Sequence, residues 1–295
     1  MHLPSMRLPS IRPSSVRLTS ATARGKGTAR RAAKGRGVAA VARAGFIGRG
    51  VLYLLIGALA LRIAFSDGDG RQADRGGALA ELADRPFGHV LLWLLGGALA
   101  GMALWRLSEV FFGQAGPDGD AASKRALAGV RCLFYGFVTY SVIAYAAGDQ
   151  GSGSGSSDRQ TQDATAKVLD WPGGQWIVAA AGAAVLGAGL WIAGRALLRK
   201  FRDRLRVSEM PRRMRRATDV IGITGGTARG AVFAAAGGFA ITAALRHKPG
   251  EAKGMDNTLR SFADTGAGPW LLALIAVGLV AFGLFSWASA RWRKL

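Results

Sequence analysis

Residues 49–62 read "RGVLYLLIGALALR" and decide the fold. Twelve uncharged residues lie between two arginines, inside a longer apolar run over residues 44–65. A helix of a water-soluble bundle keeps a polar face at the helical period, whereas this run is apolar all round, as a lipid-embedded helix is. Crossing a bilayer takes about 20 residues, and this segment suffices. Five more segments have the same character, over residues 88–112, 127–147, 174–198, 220–245 and 268–290. The sequence therefore predicts an all-α, polytopic membrane protein with six transmembrane helices.

Composition agrees. The chain has 295 residues, 50% of them hydrophobic, yet a formal net charge of +21. Those two properties coexist when apolar residues are gathered into spans and charges lie between them. The 43 glycines, with abundant alanine, suit close helix packing in lipid. A single cysteine, Cys132, and three scattered histidines offer no disulfide and no zinc motif, and no cofactor is expected. No paired carboxylates or nucleophile–base pair stand in the spans, so an enzyme is not expected.

Charge between the spans sets the expected orientation. The N-terminal arm, the second and fourth loops and the C-terminus hold twenty-five Lys/Arg, counting Arg195 at the end of the fourth span; the other three loops hold nine. The positive-inside rule then places both termini in the cytoplasm of a bacterial cell, with anionic membrane lipids as partners on that side and no nucleic acid. Residues 1–43, basic and free of acids, read either as a disordered cytoplasmic arm or as residues added by an upstream start codon. The third loop, "GDQGSGSGSSDRQTQD" over 148–163, reads as a flexible outer linker.

The spans pair into three copies of one hairpin. "RGVLY" at 49, "RCLFY" at 131 and "RGAVF" at 229 each place an aromatic four residues after an arginine. "LADRPFG", "VLDWPGG" and "FADTGAG" each place Gly four residues after Asp84, Asp170 or Asp264. Trp105, Trp191 and Phe285 follow those aspartates at a constant 21 residues. Together these motifs define an internal repeat, with copies over 44–112, 113–200 and 201–295. With "GALAELADRPFG" and "LLWLLGGALAGMALWRL", they make the chain resemble the domain-of-unknown-function 1206 family, multi-pass membrane proteins common in actinobacteria. The resemblance implies topology and repetition; that family has no established activity. Three two-helix copies run in parallel and suggest a pseudo-threefold bundle.

Arg49, Arg131 and Arg229 read first as interfacial anchors, braced by the aromatic one turn on, Tyr53, Tyr135 or Phe233. The sharper reading has them converge near the pseudo-axis as contacts for an anion or lipid headgroup. Asp84, Asp170 and Asp264 read as N-caps of the second helices, or as an outer ring of acids. Trp105, Trp191 and Phe285 read as an aromatic belt. Gly97 with Gly101, and Gly222, Gly226 and Gly230, form GxxxG patterns for packing within the monomer or in a homo-oligomer. Arg62 has no counterpart and reads as a private outer anchor, while Arg106 and Glu109 share a helix face as a local pair. The favoured function is a non-enzymatic structural, lipid-binding or regulatory membrane component; the alternative is a small-solute transporter or channel with its path on the pseudo-axis.

Overall fold

The computed structural model describes residues 36–65, 72–113, 121–149, 157–265 and 268–294. The described residues form α1 (Arg36–Phe65), α2 (Arg75–Ala83), α3 (Gly88–Phe112), α4 (Ala122–Ala146), α5 (Ser157–Leu169), α6 (Gly174–Leu197), α7 (Arg212–Leu245), α8 (Met255–Ala263) and α9 (Gly268–Trp292). Six of them, α1, α3, α4, α6, α7 and α9, are long and apolar enough to cross a membrane. At 1.5 Å per residue the 25 residues of α3 span about 37 Å, which exceeds the hydrocarbon core. The protein is an all-α, multi-pass membrane protein.

Each pair of spanning helices encloses a short helix, α2, α5 or α8, so the repeating unit has three helices. This corrects two expectations. The segment read as a flexible linker is helical from Ser157 onward; residues 150–156 and residues 1–35 of the basic arm lie outside the described residues. The aspartates are not N-caps. Asp84 and Asp264 close the C-terminal ends of α2 and α8, with their N–H groups on the carbonyls of Ala80 and Arg260; Asp170 does the same after α5, on Ala166. A tight turn then leads into the next span, so the residue at its entry is Phe87 (φ 61°) or Gly173 (φ 76°), both left-handed. Glycine takes that conformation freely.

The packing is cyclic. The second spanning helix of each repeat lies against the first spanning helix of the next: α3 on α4, α6 on α7, and α9 back on α1. Within repeats one and three, α1 also packs on α3 and α7 on α9. No comparable packing joins α4 to α6, and the second repeat stands open. The enclosed core is aliphatic, with Leu52, Leu79, Leu99, Val142, Leu259 and Leu279 all buried.

Glycines set the closest approaches. A Cβ on Gly230 would lie 2.7 Å from the backbone of Ala193 and of Gly189, and one on Gly226 would lie 2.5 Å from Ala196. Gly222 instead makes room for the Phe201 ring. Gly101 faces Val41 of α1. Gly97 has nothing within 4 Å and is exposed, so it is not a packing position in the monomer; Gly96, one residue earlier, faces Ile143. A one-residue step turns a helix by about 100°, enough to exchange a packed face for a lipid face.

The aromatic set also divides. Trp191 is exposed, but Trp105 is buried against Phe46, their centroids 5.5 Å apart, and Phe285 packs on Phe201 and Phe282. Trp105 is drawn inward because two guanidiniums lie over its ring. Exposed aromatics at the opposite end of the bundle include Phe65, Phe87, Trp171, Trp176 and Trp270. At the end that carries the C-terminus, residues 204–206 pair with 292–294: Arg206 N–H donates to Trp292 O at 2.9 Å and Lys294 N–H to Arg204 O at 3.0 Å.

Candidate functional site

Three buried aspartates join the short helices into a ring. Asp74, just before α2, accepts from the Gly77 N–H of its own helix at 2.9 Å and from the Ser157 N–H at the start of α5 at 2.7 Å. Asp158, in the first turn of α5, accepts from the Asn257 N–H of α8 at 3.2 Å. Asp256, in the first turn of α8, accepts from the Ala73 N–H before α2 at 2.7 Å and from Arg260 at 2.9 Å. Each acid thus satisfies orphan N–H groups at the next helix start, where the helix dipole also favours negative charge. Burial, with Asp256 and Asp74 as neighbours, raises the Asp158 carboxyl above its ordinary value, against the lowering effect of its N–H donors. Among the described residues, no three acids, histidines or cysteines gather as metal ligands would. Leu79 of α2 and Leu259 of α8 are fully buried in the aliphatic core. The sequence hid the ring because these acids precede Asp84, Asp170 and Asp264 by 10, 12 and 8 residues, and no ungapped comparison aligns them.

The gap left by α4 and α6 is a cavity of about 650 Å³. Phe134, Phe137, Ile177 and Val185 line it and are also substantially exposed, so it opens sideways, toward where lipid would stand. Its lining is mostly aliphatic and aromatic, with four cationic side chains and no carboxylate among the lining residues. Arg49 and Arg229 stand toward the C-terminal face. Arg75 and Lys253 stand at the opposite end, where Arg75 lies over Phe137 at 5.0 Å and Lys253 over Phe239 at 4.4 Å. Burial lowers Arg75 below the ordinary arginine value, partly offset by Asp74.

The repeated arginines do not form one site. Arg49 and Arg229 share Phe282, their guanidinium carbons 5.2 and 4.9 Å from its centroid. Each donates to a tyrosine of another repeat: Arg49 Nη1 to Tyr135 at 3.3 Å and Arg229 Nε to Tyr53 at 2.9 Å. The expected brace one turn along the same helix holds only for Arg229, over Phe233 at 5.1 Å. The same rule would pair Arg131 with residue 233, but a phenylalanine there has no hydroxyl. Arg131 Nη1 is buried without a hydrogen-bond partner. Changing Tyr53 to Phe should destabilise the protein by about 1–3 kcal/mol, the cost of an unsatisfied buried donor; equal unfolding midpoints for the two proteins would contradict this pairing.

Other polar residues serve packing. Arg62, read as a private anchor, reaches Glu81 of α2 at 3.6 Å. The Thr224 and Thr242 hydroxyls donate back to the carbonyls of Val220 and Gly238, at 2.8 and 3.0 Å. Arg106 and Glu109 pair at 2.6 Å, both largely buried.

Comparison with known proteins gives a family and no activity. The family described as Domain of Unknown Function (DUF1206) matches three times, over residues 44–113, 127–199 and 224–293. An uncharacterized protein of Bacillus subtilis (strain 168), YxxB, is 29% identical over 244 residues, covering 83% of this chain and 87% of the relative. No solved structure matches.

Proposed function

The chain belongs to the DUF1206 family, and from that footing we propose that it is a non-enzymatic membrane component that holds an anionic amphiphile, a lipid or lipid-like acid, in the cavity between α4 and α6. The carrying observation is that cavity: laterally open, apolar in its walls, and provided with Arg49, Arg229, Arg75 and Lys253 but no lining acid. Apolar walls take a hydrocarbon chain, and guanidinium forks take a phosphate or carboxylate that has left water. The site would lie in the bacterial cytoplasmic membrane with both termini inside, as the charge asymmetry between loops favours.

A solute path along the pseudo-axis has less support. The core is packed with leucine, alanine and valine, and the aspartate ring ties the short helices together at one end. The test uses detergent-purified protein and a fluorescent long-chain carboxylic acid. Changing Arg49 and Arg229 together to Gln should weaken its binding about tenfold or more, since a charge-assisted hydrogen bond contributes roughly 1.5–3 kcal/mol. Ala181→Phe, which fills the cavity without touching charge, should weaken it too. Binding that survives both changes would defeat the proposal, and solute flux through reconstituted vesicles would revive the alternative.

A further inference from the structure

The position that faces each repeated arginine across the cyclic packing lies 22 residues after the repeat's aspartate, and it is Arg106, Ile192 or Ser286. For Arg49 on α1 it is Ser286 of α9, which accepts from Arg49 Nε at 3.0 Å. For Arg229 on α7 the matching residue on α6 is Ile192. For Arg131 on α4 it is Arg106 of α3, a like charge. Where symmetry places a serine or an apolar residue in two repeats, the third sets arginine near arginine, and Arg131 also lacks the tyrosine hydroxyl that Arg49 and Arg229 have.

Two more guanidiniums join that pair. Arg293, just past α9, lies over the Trp105 ring at 5.1 Å, with Arg106 over the same ring at 4.2 Å. The pairing of residues 204–206 with 292–294 brings Arg204 to the same place. Glu109 accepts from Arg106 Nη1, and Asp203 is a second acid close to Arg204. Among the described residues, Arg131, Arg204 and Arg293 make no ion pair. Arg106 is 4% exposed, and its Nε, like Arg131 Nη1, is buried with no hydrogen-bond partner. Burial, together with Arg195 and Arg106, lowers Arg204 below the ordinary arginine value; burial, with Arg106 and Arg204, lowers Arg293 well below it. Four clustered cations against two acids, Glu109 and Asp203, with two donors that have no partner, is an arrangement that a bound anion resolves.

We propose that Arg106, Arg131, Arg204 and Arg293 bind a phosphate group, as free phosphate or as a lipid headgroup, at the end of the bundle that carries the C-terminus. Planar guanidiniums from four elements can donate to its oxygens from several directions, and Arg106 Nε and Arg131 Nη1 supply donors that are otherwise unused. Glu109 orients Arg106 and competes with the anion. The site is distinct from the lateral cavity, which none of these four residues lines. It occurs once, because neither Arg106 nor Glu109 has a matching charge pair in the other repeats: their counterparts are Ile192 with Arg195, and Ser286 with Ser289.

The experiment is thermal unfolding of delipidated, detergent-purified protein, titrated with inorganic phosphate against chloride at equal ionic strength. In parallel, the protein is placed in bilayer discs of phosphatidylglycerol or phosphatidylcholine. Phosphate chemistry should raise the midpoint of the wild type by about 5 °C with a saturable dependence, and Arg131→Gln with Arg204→Gln should abolish the rise. Stabilisation by inorganic phosphate identifies a soluble ligand. Stabilisation by phosphatidylglycerol alone identifies a headgroup. Should the double variant fail to fold, Glu109→Gln provides the second arm: removing the competing carboxylate should tighten binding of whichever probe stabilises the wild type about tenfold. Equal responses of wild type and double variant, no response to either probe, or unchanged affinity in Glu109→Gln overturns the proposal.

Discussion

Changing Asp74 to alanine is expected to lower the stability of the folded protein by about 3 kcal/mol, because two backbone N–H groups lose a charged acceptor inside a buried site. Gly77 N–H lies in the first turn of α2 and Ser157 N–H begins α5, so one substitution loosens two helices at once. Asp74→Asn keeps an acceptor oxygen and should cost markedly less. Thermal unfolding in detergent checks both, and equal losses for the two variants would show that acceptance by the side chain is not what matters. The ring also predicts a pH dependence. Asp158 carries a raised carboxyl value in the folded state, so between the ordinary and the raised value the folded protein binds more protons than the unfolded chain. Its effect on stability is therefore most favourable below the ordinary carboxyl range and diminishes as pH rises through the window up to the raised value. Across that window Asp158→Asn should flatten the fall in unfolding midpoint, with Asp74 and Asp256 as the neighbouring acids.

The second large effect is expected at Gly189. A Cβ there would sit 2.4 Å from the backbone nitrogen of Ala234 and 2.7 Å from the carbonyl oxygen of Gly230. Backbone cannot rotate aside as a side chain can, so Gly189→Ala must push α6 away from α7. A destabilisation of about 3 kcal/mol, at the upper end of overpacking costs, is the expected result. Gly187→Ala is the matched control two residues away, where nothing lies within 4 Å, and it should be neutral or slightly stabilising through better helix propensity. Unfolding midpoints and protease sensitivity compare the pair; equal behaviour would mean that α6 and α7 do not approach as closely as the glycines allow.

The spanning helices were legible because lipid demands long, uniformly apolar segments, and the starts at residues 88, 174 and 268 agree between sequence and structure. The short helices were not. With 9 to 13 residues in polar surroundings, they depend on tertiary hydrogen bonds, and α5 begins at the end of a Gly/Ser-rich run that masks it. The spacing of Arg49 to Tyr53 and of Arg131 to Tyr135 was visible, but its meaning was not. Four residues on a helix suggest a contact along that helix, whereas the hydroxyls serve arginines of other repeats, and only the cyclic packing reveals it. The Gly97–Gly101 pattern holds at one of its two positions: Gly101 meets Val41 of α1 and Gly97 meets nothing, because a spacing of four fixes a face of α3 but not how far along that face the neighbouring helix stays close.

Because the helices pack out of phase with the repeats, the order of synthesis matters. The α3–α4 and α6–α7 partners emerge from the ribosome consecutively, with only a loop between them, and can associate as soon as both are inserted. The third equivalent pair joins the first spanning helix to the last. Gly50, which abuts Gly283 and Trp287, and Gly57, which abuts Ala276 and Val280, stay without those neighbours until the final helix enters the bilayer. Chain termination before α9 therefore strands α1 without its main partner, and the contact between the first and third repeats forms only once α9 has been made.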